Sequence, residues 1–118
     1  MVKLVGEVPE KDRPISEEYR IAAKEWVALD GAARLLEETK TAVLSQRMKM
    51  QGDMPVSKAE LIVKASDEWK DFIARLVEAR TAANLAKVKV EWVKMRFQEW
   101  ISLDASSRAQ WKMGRQSP

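Results

Sequence analysis

From Ile62 to Trp100, apolar residues recur at alternating steps of three and four: Ile62, Ala65, Trp69, Phe72, Leu76, Ala79, Ala83, Ala86, Val90, Val93, Phe97 and Trp100. The charged residues between them, including Lys64, Asp67, Arg75, Glu78, Lys87 and Glu91, fall off that line. A repeat near 3.5 residues keeps one stripe facing a single neighbour, so the pattern predicts a long helix with a coiled-coil-like seam. An earlier stretch carries a weaker stripe of the same spacing through Ala22, Trp26, Leu29, Ala33, Leu36, Lys40, Val43, Arg47 and Met50. Lys40 and Arg47 interrupt it without forbidding a helix, because long basic side chains lay their methylenes on apolar neighbours and keep the charge in water.

Local signals set the expected ends of these helices. Ser16, followed by Glu17 and Glu18, reads as the N-cap of the first helix, and Asp30-Gly31 as a point where it kinks or restarts. Gly52 suits the left-handed residue that ends a helix, and Pro55 blocks simple continuation. Ser57 and Glu60 have the spacing of a capping box, which starts the second helix near Lys58. Asp104 is the expected cap of a short last helix ending at Gly114. Residues 1–15 read as an extended arm, 16–113 as the helical domain and 114–118 as a frayed tail.

A short connection makes the two long helices antiparallel neighbours. Folding about residue 54 sets Leu36 near Phe72, Leu29 near Ala79, Trp26 near Ala83 and Tyr19 near Ala86 to Val90, with large residues facing small ones. The expected fold is therefore all-α: an antiparallel two-helix hairpin with a long second helix. In that register the second helix overhangs from about Glu91, leaving Val93, Phe97, Trp100 and Ile101 for an oligomer interface. Burying each such side chain is worth roughly 1.5–3 kcal/mol, which favours a homodimer that closes into a four-helix bundle.

Composition changes this picture mainly by exclusion. The 118 residues include no cysteine and no histidine, which removes disulfides, thiol nucleophiles and the commonest transition-metal ligands. Paired carboxylates at Glu17/Glu18, Glu37/Glu38 and Asp67/Glu68 are sequence neighbours that point apart on a helix, and no histidine accompanies them. No glycine-rich phosphate loop or serine elbow is present. The chain is expected to be non-enzymatic and to need neither cofactor nor metal. Apolar runs are short, so a cytoplasmic protein without a membrane partner is expected.

The net charge of +3 is modest, but its placement is informative. Between Ala79 and Phe97, Arg80, Lys87, Lys89, Lys94 and Arg96 stand against Glu91 alone. Arg80, Lys87 and Lys94 fall on one flank of the seam, Lys89 and Arg96 on the other, and Trp92 lies off it. Two straddling basic rows with an aromatic face suit the phosphates and unstacked bases of single-stranded DNA. They also suit the charged flanks that any coiled coil uses to set register, the commoner use of such rows, or an acidic protein partner.

The segment Gly52-Asp53-Met54-Pro55 with Lys58-Ala59-Glu60 and Val63-Lys64-Ala65-Ser66, and the runs Leu76 to Asn84 and Phe97 to Trp100, resemble a group of small helical proteins encoded in bacteriophage and prophage genomes. The resemblance spans about residues 24–113 and carries no defined binding residues. It implies a place among early-region genes near recombination and single-strand annealing functions, in the host bacterial cytoplasm. The expected function is an accessory protein of DNA recombination or replication that contacts single-stranded DNA or a recombination (annealing) protein. The alternative is an inhibitor or adaptor that blocks a host defence protein.

Overall fold

A computed structural model describes residues 14–116, with side chains to Gly114. Among these residues the regular structure is entirely helical: α1 (Ile15–Lys49), α2 (Val56–Ala65) and α3 (Asp67–Gln116). The molecule is elongated, 93 × 36 × 17 Å, and its radius of gyration of 24.9 Å is nearly twice the ~13 Å of a compact 100-residue domain. Most of the arm expected at residues 1–15 lies outside the described residues; Pro14 and Ile15 belong to the start of α1.

Both expected serine caps sit inside their helices. Pro14 and Pro55, extended at ψ 154° and 141°, are the N-caps instead. The Pro14 carbonyl accepts from the Glu17 and Glu18 amides, and the Pro55 carbonyl from the Ala59 amide. Ser57 therefore lies in the first turn of α2, and Glu60 pairs with Lys64 at 2.7 Å rather than closing a capping box. Gly52 does adopt the left-handed conformation, φ +89°, between α1 and α2. α1 runs through Asp30-Gly31 without ending.

The expected second helix is two helices. Ser66 is extended, ψ 151°, and its hydroxyl donates to the Val63 carbonyl while accepting the Trp69 amide at 3.3 Å. It closes α2 and caps α3, whose first turn carries Asp67 and Glu68. The break shifts the buried stripe. Before it, Ala59 and Val63 are buried while Ile62 is exposed; after it, Trp69, Phe72, Ala83, Ala86, Val90 and Val93 are buried on the expected spacing. Past Asn84 and Asp104, α3 runs on without interruption.

α1 lies antiparallel against α3. Near the turn, Val63, Trp69 and Phe72 form one cluster with Leu36, Val43, Leu44 and Met48; Trp69 and Phe72 stack at 5.5 Å. Toward the other end, Ala22, Val90 and Val93 form a second with Ile15, Ala23 and Trp26. Fully buried Ala33 and Ala83 are the small residues that let the helices approach closely. Because α2 takes up chain that the simple folding had assigned to the second helix, the register moves by one turn. Trp26 meets Lys87 and Tyr19 meets Lys94, each about one turn beyond the expected pair.

The basic flanks and the far end of α3

The register decides what the basic residues of α3 face. Arg80 donates from Nε to Glu37 at 3.0 Å and from Nη2 to the other oxygen of that carboxylate, a bidentate pair. Its Nη1 reaches Asp30 at 2.8 Å, and Arg34 holds the second Asp30 oxygen at 2.9 Å. The hydrogen bonds from Arg80 hold both carboxyls below their ordinary range, and the two carboxylates push the guanidinium pKa up. This four-residue network joins α1 to α3 near mid-length.

The other basic residues follow the same rule. The Lys87 ammonium stands 5.8 Å over the Trp26 ring and Lys94 5.7 Å over Tyr19, both within cation–π range. Lys89 lies 4.0 Å from Glu25. Arg96 donates to Glu18 at 2.7 Å and stacks on Trp92 of its own helix, 4.9 Å from the ring. All five basic residues singled out from the sequence therefore touch a side chain of α1. The partners Asp30, Glu37, Glu25 and Glu18 on α1 were not foreseen, because the folding about residue 54 placed none of them opposite these bases.

The shift also moves the overhang. Val93, expected at an oligomer interface, is 2% exposed and covered by α1 of its own chain. Ile15 and Ser16 border an open groove of about 340 Å³ with Tyr19, Val93 and Phe97, and a second groove reaches Trp100. Beyond that point α3 continues with Trp100, Ile101, Leu103 and Trp111 exposed, at 55, 44, 69 and 61%. Phe97 stacks with Trp100 at 6.4 Å and is itself 44% exposed. Leu103, one position off the seam as Ile101 is, joins these exposed residues at the α3 end.

Among the described residues no helix is long and apolar enough to cross a membrane, and no cluster of acidic residues has metal-binding geometry. Compared with family models, curated proteins and solved structures, the chain matches none.

Proposed function

We propose that the protein is a non-enzymatic adaptor, a helical hairpin that recognises protein through the distal end of α3 and self-associates there. The supporting observation is a contrast along one helix. Up to Val93 the seam of α3 is covered by α1 and its basic flanks meet α1 side chains; from Phe97 onward large apolar residues are exposed. The exposed residues from Phe97 onward support a contact surface at the end of α3. The phage resemblance suggests a recombination protein or a host defence protein as the heterologous partner.

Replacing Trp100, Ile101 and Leu103 together by Gln tests this. All three are exposed, so helix content is expected to hold and stability to move by no more than about 0.5 kcal/mol per site. Association measured by light scattering is expected to weaken at least tenfold. Unchanged association contradicts the reading.

A second reading keeps single-stranded DNA as ligand. Lys87 and Lys94 lie over rings rather than carboxylates, so their charges are not neutralised, and Trp92 is 54% exposed. Binding of a labelled oligo-dT at about 50 mM salt, abolished by Lys87→Glu with Lys94→Glu, would favour it over the adaptor.

A further inference from the structure

At the joint between α2 and α3 the sequence pattern and the packing diverge. The three-four spacing runs through the joint unbroken, Ile62 and Ala65 leading to Trp69 and Phe72, yet Ile62 and Ala65 are exposed while Ala59 and Val63 are buried in their place. No glycine or proline stands between Val56 and Asp67, so neither of the residues that usually break a helix makes this break. Ser66 makes it alone. Its φ of −74° is already helical, and turning its ψ from 151° to about −42° would carry the helix straight on.

Little holds the bend. The Ser66 hydroxyl caps α3 by accepting the Trp69 amide, and Val63 is buried beside Trp69 and Phe72. Among the described residues no side-chain hydrogen bond or ion pair runs from α2 to α1 or α3; the ion pair of Glu60 with Lys64 is internal to α2. By contrast, α1 and α3 are tied together by Arg80, Lys89 and Arg96. A straight joint would give the amides of Ser66 to Trp69 the carbonyls of Ile62 to Ala65, replacing one side-chain cap by a full turn of helical bonds. It would also set Ile62 and Ala65 in line with Trp69. The start of α2 would then lie about 16 Å beyond the start of α3, within the roughly 20 Å that the six residues 50–55 span when extended.

We infer that α2 is a strap hinged at Ser66, closed across the end of the hairpin in this structure and able to swing into line with α3. Closed, it buries Val63 among Trp69, Phe72, Leu44 and Met48. Open, it yields that place to Ile62 and Ala65 and makes one helix from Val56 to Gln116. The continuous spacing across the joint is the record of the open form, and the Ser66 cap is the latch of the closed one. The strap sits at the opposite end of the molecule from Trp100 and does not depend on what docks there.

Distances between two spin labels test this in the full chain, which has no native cysteine to compete for label. Lys58→Cys and Glu78→Cys place the labels on exposed sites either side of the joint. A continuous helix separates these two backbone positions by about 30 Å, and the bend brings them closer. The expected result is two populations with the shorter dominant. Ser66→Ala, which removes the latch and adds a better helix former, is expected to raise the ratio of long to short roughly tenfold, and Ser66→Asp, which still caps, to keep the native ratio. A single short distance in both the native chain and Ser66→Ala overturns the proposal, even where Ser66→Ala is less stable, because the serine is then a cap and no latch. A single long distance in the native chain overturns it as well.

Discussion

Arg80 shows how much a single residue's role depends on register. From the sequence it is one cation in a basic run; its two neighbours Glu37 and Asp30 lie 43 and 50 positions away, and only the path through α2 brings them together. Sequence alone singles out these cations and leaves open whether they serve the fold or a ligand, because that choice is made by residues on another helix. The network has a pH signature. Asp30 and Glu37 are held below their ordinary range by Arg80, so each binds a proton less readily folded than unfolded. Their contribution is present in full above the unfolded-state values and is lost as pH falls through the lowered folded values. Thermal unfolding from pH 7 to pH 3 is expected to show a steeper acid loss in the native chain than in Arg80→Gln, whose midpoint is lower at pH 7. Parallel acid profiles would remove the network from the account.

At the scale of elements, the three-four spacing from Trp69 to Val93 was legible because a buried stripe on one helix is a local pattern. The helix ends were less so. At two starts the chain offers a proline followed within two residues by a serine, Pro14 with Ser16 and Pro55 with Ser57. In both the proline's fixed extended backbone sets the boundary, and serine falls in the first turn. At Ser66 no proline competes and the serine does cap. Its signal, Ser66-Asp67-Glu68, repeats the Ser16-Glu17-Glu18 pattern but was hidden inside a continuous apolar spacing. Missing that break displaced the pairing by one turn and put the overhang too early. Gly31 is the reverse case, a helix-breaking residue that α1 absorbs. It is exposed, and a Cβ there would meet nothing within 4 Å. Gly31→Ala is expected to stabilise the chain by about 1 kcal/mol in denaturant unfolding, and a destabilised variant would mean that the site needs glycine for a contact.

At the scale of the whole molecule, α3 is a 50-residue helix whose two parts have different surroundings. Its first half packs on α1 through the seam and the charged flanks; its end projects exposed apolar residues past the start of α1. The sequence carried the existence of an overhang, since α1 is the shorter helix in any register, but not its position, which depends on where α1 begins. The measurement that bears most directly on this division is amide hydrogen exchange read by mass spectrometry at two concentrations, dilute and concentrated. The account predicts that amides of Trp69 to Val93 are protected equally at both, whereas those beyond Trp100 exchange fast in dilute protein and slow down as concentration rises. Equal protection of the α3 end in dilute and concentrated samples would contradict it, whether the end is always slow, and so covered within one chain, or always fast, and so never docked.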